Sequence, residues 1–127
     1  MIDRMDHLVM TVQDIEATVA FYENVLGMEA VQFGNRRTAL RFGNQKINLH
    51  QAGYEFEPKA QYPQPGSADL CLVTSVPLDE AVNRIRTAGA AIVEGPVVRT
   101  GAVGPIRSVY IRDPDKNLIE ISNYLSQ

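Results

Sequence analysis

The chain has 127 residues, a length typical of one globular domain that buries a core without disulfides or a structural metal. Its formal net charge of -3 and sequence pI near 5.3 exclude a strongly basic surface, which argues against nucleic acid or an anionic membrane as a partner and favours a small molecule. The single cysteine, Cys71, excludes an internal disulfide. Because no segment resembles an export signal or a membrane span, we expect a cytoplasmic protein.

The first half of the chain predicts a β-α-β-β-β unit. Alternating side chains predict a strand from Met5 to Val12, and Asp14 is expected to cap a helix that ends at Gly27. Three short strands separated by Gly-Asn turns follow, at Glu29 to Phe33, Thr38 to Phe42 and Lys46 to His50. The stretch from Gln51 to Ser67 is rich in proline and glycine and is interpreted as a connection.

The second half repeats the same order of elements. A strand from Asp69 to Thr74 precedes a helix that begins near Pro77 and ends at Gly89. Three more strands are predicted, at Ala91 to Glu94, Ile106 to Ile111 and Asn117 to Asn123. Val97 to Pro105 is predicted as a glycine-containing loop, and Arg112 to Asn117 as a tight turn. A repeat of this size indicates duplication of one unit.

Several motifs carry a resemblance to a known family. The segments are FYENVLGM, KINLH, EFEPKA, PGSADLCL, EGPVVRTGAVGPI and IRDPDKNLIEISNY. Together with the paired modules they resemble the vicinal oxygen chelate superfamily, which includes glyoxalase I, extradiol dioxygenases and bleomycin-binding proteins, and most closely its small glyoxalase-domain-containing members. The resemblance implies an α+β fold in which two tandem βαβββ modules form a cup-shaped, mixed, eight-stranded sheet. It also implies one domain over residues 1-127, with modules at about 5-50 and 68-123 joined by 51-67, and a homodimer.

Four residues are candidate ligands of a divalent metal ion. Glu120 is predicted to lie in a strand among apolar residues, where a buried carboxylate is costly unless it is paired or bound to a cation. The resemblance assigns the carboxylate ligand to Glu120 and the first histidine ligand to His7. Asp69 stands where many relatives have a second histidine. His50 completes the predicted set His7, His50, Asp69 and Glu120, for which Ni, Mn, Zn, Co and Fe remain open.

The position of His50 leaves an alternative open. Strand alternation puts Asn48 and His50 on one face, and the resemblance aligns the family's glutamate ligand with Asn48 rather than with His50. A register shift of two residues would give the set that contains His50. Without the shift, the ligands are His7, Asp69 and Glu120 together with waters, and His50 lies near the substrate. Asn48 is a candidate for contact with the substrate. Arg99 and Arg107 flank the predicted loop and are candidate clamps for an anionic substrate group. Cys71 is expected to be a buried, inert thiol.

The resemblance implies a glyoxalase-I-like, metal-dependent lyase or isomerase that acts on a small substrate with neighbouring oxygens through an enediolate. Glu120 is then the catalytic residue that moves the proton. One alternative is an Fe(II) ring-cleaving dioxygenase with two histidines and one carboxylate as ligands. Another is a non-catalytic protein that binds and sequesters a small molecule, as bleomycin-binding relatives do.

Overall fold

A computed structural model describes residues 1–125 of the chain. The chain divides into two compact units, the first module (Met1–Ser67) and the second module (Ala68–Gln127). Each module contains one helix and one mixed sheet of four strands, so the predicted α+β architecture of two tandem βαβββ modules is confirmed. The eight strands are divided into two separate sheets, four in each module.

The first module follows the predicted order of elements. These are β1 (His7–Val12), α1 (Ile15–Leu26), β2 (Glu29–Phe33), β3 (Arg37–Phe42) and β4 (Gln45–Gln51). In the sheet the strands have the order β1-β4-β3-β2, with β1 parallel to β4 and the other pairs antiparallel. The helix is therefore a crossover that connects β1 to the rest of the sheet.

Helix α1 begins and ends at the two residues that the sequence indicates. The side chain of Asp14 accepts a hydrogen bond from the backbone N–H of Ala17 at 3.1 Å, which satisfies one of the free donors in the first turn. Gly27 has φ of 69° and ends the helix in the left-handed conformation that glycine adopts without strain. Tyr22, on the helix face that packs on the sheet, has no exposed surface. Core packing and capping therefore agree on the position of the helix.

The second module has the same topology. Its elements are β5 (Asp69–Val73), α2 (Leu78–Thr87), β6 (Glu94–Thr100), β7 (Pro105–Arg112) and β8 (Leu118–Tyr124). The strand order is β5-β8-β7-β6, again with one parallel pair, β5 and β8. Leu78 donates its backbone N–H to Oδ1 of Asn123 at 2.7 Å, so a residue of β8 caps α2. Val82 and Ile85 of α2 are buried, and the helix packs against β7.

A turn between β7 and β8 is held by a buried polar network. The carboxylate of Asp113 accepts hydrogen bonds from the backbone N–H and the side-chain amide of Asn117 at 3.0 and 2.8 Å. Oδ1 of Asn117 in turn accepts the backbone N–H of Ala68 at 2.8 Å. The turn thus links the end of β7 to the residue that precedes β5, and it fixes the start of β8.

The predicted position of β6 is wrong. The sequence analysis placed this strand at Ala91 to Glu94 and a loop at Val97 to Pro105, whereas the strand runs from Glu94 to Thr100. The ladder with β7 shifts in register between Glu94 and Val97, where Gly95 and Pro96 form an irregularity. A Cβ on Gly95 would lie 2.4 Å from the carbonyl oxygen of Ser108, so only glycine fits there. The Gly-Pro pair, which lies between the predicted strand and the predicted loop, is a bulge within the strand.

Neither helix in residues 1–125 has the length and apolar character that crossing a membrane requires.

Candidate functional site

In the first module, the strand register places the candidate residues on one face of the sheet. Val9 lies opposite Asn48, and Thr11 lies opposite His50. Paired residues project to the same side and successive residues alternate, so His7, Asn48 and His50 share a face. The intervening residues of β4, Ile47 and Leu49, are buried on the other face, which α1 covers. Hereafter, the face that carries Asn48 is called the polar face of the first module.

His7 is an accessible imidazole at the edge of this face. Its Nδ1 lies 2.8 Å from Oδ1 of Asp6, and 42% of its side chain is exposed. The hydrogen bond to His7 holds the pKa of the Asp6 carboxyl below its usual value. A carboxylate on one ring nitrogen orients the ring and leaves the other nitrogen to bind a metal ion or a substrate.

Asn48 and His50 differ in the way their polar atoms are satisfied. Asn48 is 5% exposed, and its buried Oδ1 has no hydrogen-bond partner in the described part of the chain. His50 is 3% exposed, and its Nε2 lies 3.2 Å from a guanidinium nitrogen of Arg37. Because a guanidinium only donates, Nε2 is the acceptor and the ring proton is on Nδ1. Burial, followed by the charge of Arg37, lowers the pKa of His50 and keeps the ring neutral.

In the second module, the register brings Asp69, Cys71 and Glu120 onto one face. Asp69 lies opposite Leu118, and Cys71 lies opposite Glu120. Oε2 of Glu120 is buried and has no hydrogen-bond partner among residues 1–125. A buried carboxylate oxygen in this state requires a proton, a donor or a cation. Hereafter, the face that carries Glu120 is called the polar face of the second module.

A cavity of about 400 Å³ opens on this polar face. Its lining consists of Cys71, Val73, Arg99, Thr100, Gly101, Ala102, Ile106, Tyr110, Glu120 and Tyr124. Glu120 is the carboxylate in this lining, and the two tyrosines and the aliphatic residues make most of the wall. A mostly apolar cavity with a few polar groups is the usual form of a small-molecule site.

The two arginines predicted as anion clamps lie on opposite faces of the second sheet. Arg99 lines the cavity, where its Nε donates to the hydroxyl of Tyr110 at 3.1 Å and its guanidinium pairs with Glu94 at 2.8 Å. These contacts raise the pKa of Arg99, with the bond to Tyr110 as the largest cause. Arg107 is instead paired with Asp79 of α2 at 3.2 Å, on the face that the helix covers. The structure therefore brings Arg99, but not Arg107, to Glu120.

Tyr110 is a site residue that the sequence analysis missed. It lies directly opposite Glu120 in the ladder between β7 and β8, and both side chains line the cavity. Its hydroxyl accepts the Arg99 donor, so its own proton remains available to another acceptor. Side-chain alternation along β7 could have placed Tyr110 on the same face as Glu120. That inference requires the pairing of β7 with β8, which residue spacing alone does not specify.

Cys71 is exposed rather than buried, contrary to prediction. Its thiol lies 3.2 Å from the hydroxyl of Ser122, and the partial burial of the sulfur raises its pKa. A thiol with a raised pKa is mostly protonated at neutral pH and is a weak nucleophile. Its predicted lack of reactivity thus has a physical basis in the structure.

The two modules place donors at equivalent ladder positions. Asn48 of β4 and Glu120 of β8 each lie opposite the third residue of the parallel strand, and His7 and Asp69 begin those strands. His50 is equivalent to Ser122, so the position that matches Glu120 is that of Asn48. Within residues 1–125, no three His, Cys, Asp or Glu side chains form a group that could hold a metal ion. Each module by itself supplies one pair of candidate donors.

The donor pairs match the chemistry of a divalent ion in part. Imidazole, carboxylate and amide oxygen are all ligands of first-row divalent metals. In each pair one member, Asn48 or Glu120, has a buried oxygen without a partner in the described chain. His50 does not match, because its Nε2 lone pair is directed at Arg37. Each module therefore offers one pair of side chains of suitable chemistry, His7 with Asn48 in the first and Asp69 with Glu120 in the second.

Comparison with known proteins identifies close relatives. The virulence protein STM3117 of Salmonella typhimurium is 64% identical over 124 residues, which are 98% of this chain and 86% of that protein. Its crystal structure matches with a TM-score of 0.97 over 98% of this chain and 99% of the other. The glyoxalase domain-containing protein RDO1 of Mycosarcoma maydis is 59% identical over 120 residues, which are 94% of this chain and 68% of that protein.

More distant structures share only the fold. A lactoylglutathione lyase from Agrobacterium tumefaciens is 22% identical, with a TM-score of 0.71 over 94% of this chain and 92% of that one. TnmS3, an antibiotic-binding protein from Streptomyces, is 24% identical, with a TM-score of 0.75 over 98% of both chains. An enzyme and a binding protein therefore have this same architecture.

Residues 4–121, nearly the whole chain, match one family. This match agrees with the two βαβββ modules and with the equivalent ladder positions of Asn48 and Glu120. The chain belongs to the Glyoxalase/Bleomycin resistance protein/Dioxygenase superfamily.

Proposed function

We propose that the protein is a glyoxalase-I-like, metal-dependent lyase or isomerase of a small substrate with oxygens on neighbouring carbons. The observation that carries the proposal is the buried, unpartnered Oε2 of Glu120 in the wall of a cavity large enough for a small molecule. Glu120 as a whole is half-buried, but a buried carboxylate oxygen without a partner is costly unless it binds a cation or a donor. The equivalent unpartnered oxygen of Asn48 supports the same interpretation.

The proposed ligands are drawn from the two donor pairs, His7 with Asn48 and Asp69 with Glu120. Asn48 replaces His50 in the set that the sequence predicts, because Arg37 occupies the free nitrogen of His50. A bound divalent ion supplies positive charge that stabilises negative charge on two neighbouring substrate oxygens. Donor sets of this kind accept Ni, Mn, Zn, Co and Fe.

The protein side chains supply the proton transfer. Glu120 takes a proton from the substrate carbon beside the carbonyl group and returns it to the neighbouring carbon. Tyr110, whose hydroxyl oxygen is occupied by Arg99, donates its own O–H to a substrate oxygen or to Glu120. The apolar walls of the cavity, including Val73 and Ile106, reduce access of water to the carbon from which the proton is removed.

A binding protein without catalysis is the second candidate. It is favoured by the finding that, within residues 1–125, three acidic or histidine donors do not come together. The fold neighbour TnmS3 is described as an antibiotic-binding protein, which supports this candidate. The dioxygenase alternative requires a second histidine ligand, and the hydrogen bond from Arg37 to His50 opposes it.

An activity assay separates the two candidates. We expect turnover of the hemithioacetal of a 2-oxoaldehyde and a thiol in the presence of Ni, Mn or Zn. Glu120→Gln, which keeps the shape but removes the base, should lower kcat by about 10²- to 10⁴-fold. Glu80→Gln, on the exposed face of α2, is the control and should leave kcat unchanged. Full turnover by Glu120→Gln, or no turnover with any of the three metals, would contradict the proposal.

The proposal includes a cytoplasmic homodimer. A homodimer is what the family resemblance implies. Light scattering after size exclusion should then give about twice the chain mass of 14.1 kDa. A monomer at micromolar concentration would contradict this part alone.

A further inference from the structure

Arg37 differs from the other arginines near the two polar faces. Arg41 pairs with Glu29 at 2.6 Å, Arg99 with Glu94 at 2.8 Å and Arg107 with Asp79 at 3.2 Å. Arg37 has no carboxylate within 4 Å in the described chain, and its hydrogen bond goes to a neutral acceptor, Nε2 of His50. Its positive charge is therefore not neutralised by a direct acidic neighbour.

The setting of Arg37 orients its guanidinium. The guanidinium carbon lies 4.7 Å from the ring centre of Phe56 and 5.3 Å from that of Phe33. Lys46 also lies over Phe33, with Nζ 3.8 Å from the ring centre. Contacts with aromatic rings use the face of a guanidinium and leave its N–H edge available. Since His50 uses one of the five N–H donors of Arg37, four remain for a ligand.

A second polar group of the same face lacks a partner. Arg37 begins β3, and Asn48 lies on the adjoining strand opposite Ala39, so the two side chains are diagonal neighbours on the polar face of the first module. Oδ1 of Asn48 is buried and unpartnered within residues 1–125, but as an acceptor it suits a cation or a donor, so it does not form part of the Arg37 site. Nearby acids are engaged elsewhere, since Asp6 pairs with His7 and Glu55 with Lys59. The local balance of charge favours an anion.

We propose that Arg37 is the binding site for a carboxylate group of the substrate, so that the substrate class is a small organic acid. A carboxylate matches the planar edge of a guanidinium with two parallel hydrogen bonds, and the rings of Phe33 and Phe56 favour an apolar body attached to it. The inference rests on the proposed function in that it takes the ligand to be the substrate. This role was predicted for Arg99 and Arg107, but both of these arginines are paired with acids.

Benzoate binding to metal-free protein tests this site. Benzoate has a carboxylate and an apolar ring but no oxygen on the neighbouring carbon, so its binding does not depend on a metal or on turnover. We expect benzoate to bind the chelator-treated wild-type protein, as measured by calorimetry or NMR titration. Benzamide, its uncharged analogue, and inorganic phosphate should bind at least about tenfold more weakly.

Substitutions assign the binding to Arg37. Arg37→Met should weaken benzoate binding at least about tenfold, and Arg37→Lys, which keeps the charge but loses the planar edge, by about fivefold. Arg41→Met is the matched control, since Arg41 lies on the same strand and face but is paired with Glu29, and it should bind within about twofold of wild type. If Arg37→Met does not fold, Arg37→Lys decides the question.

Three results would overturn the inference. They are the absence of benzoate binding to the wild type, equal binding by wild type and Arg37→Lys, and an equal loss in Arg41→Met. Because the titration uses metal-free protein, a positive result stands even if the lyase assay fails. Conversely, if benzoate does not bind but the lyase assay shows turnover, only the proposed carboxylate site is contradicted.

Discussion

The two sheets have the same topology and register, yet equivalent positions hold different chemistry. In the first module Arg37 of β3 donates to His50 of β4, and in the second module the equivalent pair is Ser108 and Ser122, whose hydroxyl oxygens lie 2.6 Å apart. The first pair combines a cation with an aromatic ring, whereas the second is small and neutral.

At a second pair of equivalent positions, the charged residue lies in the second module and the neutral residue in the first. Where the second module has the carboxylate of Glu120, the first has the uncharged amide of Asn48. Each oxygen is buried and unpartnered in the described residues, but only one carries charge. The comparison shows that two modules with the same strand order and register carry different polar groups at equivalent positions.

The largest change in the free energy of unfolding is expected when the first module is given a carboxylate at Asn48, the position equivalent to Glu120. Asn48→Asp places a second carboxylate where Asn48 is buried, so in the presence of a chelator it should lower the free energy of unfolding by about 3 kcal/mol. Saturating Mn or Ni should restore a large part of this loss, because a cation would then neutralise the new carboxylate. Urea unfolding with and without metal measures both quantities.

The control for this experiment is Asn44→Asp, in the exposed turn between β3 and β4. It should change the free energy of unfolding by less than about 0.5 kcal/mol in either condition. If Asn48→Asp is equally unstable with and without metal, the polar face of the first module does not contribute a metal ligand.

A smaller difference in stability is expected between substitutions in the equivalent turns of the two modules. Asn117 joins Asp113 to Ala68 through buried hydrogen bonds, so Asn117→Ala should lower the free energy of unfolding by about 2 kcal/mol. Asn44, in the equivalent turn of the first module, is exposed, and Asn44→Ala should have an effect of less than about 0.5 kcal/mol. Equal losses in the two variants, measured by urea unfolding, would show that the buried network does not stabilise its turn.

The smallest effect concerns the pH dependence of stability. Burial and then Arg37 lower the pKa of His50, so the unfolded chain binds this proton more tightly than the folded protein. Stability should therefore be highest above the ordinary histidine pKa of 6.5 and should decrease as the pH falls below it. His50→Gln should reduce this slope, and Arg37→Met should reduce it by less, because burial is the larger cause.

Unfolding of the wild type, His50→Gln and Arg37→Met, followed between about pH 5 and 8, measures these slopes. The same slope in His50→Gln as in the wild type would mean that the folded environment of His50 is not the source of the effect.

Local patterns were sufficient to predict most of the fold. The helix boundaries at Asp14 and Gly27 and the repeated order of elements depend on capping, turns and alternation, all of which are visible within short segments. Strand β6 was misplaced because Gly95 and Pro96 usually end strands, and only the approach of Ser108 shows that they form a bulge.

The site was predicted less completely, because pairing across strands is not visible in a single sequence. The partner of His50 is Arg37, 13 residues away, and spacing alone did not indicate that the two would meet. Arg107 was assigned to the site from its position beside a predicted loop. Its place in β7, one residue from Ser108, instead directs it to Asp79 on the helix side.

Metal content tests the central claim most directly. Wild-type protein purified without chelator should contain about one equivalent of a divalent transition metal per chain, and Glu120→Gln and His7→Ala less than about a tenth, with Glu80→Gln as the control that retains it. The account is contradicted if wild type and control also contain less than about a tenth of an equivalent of metal and a chelator does not change the wild-type activity.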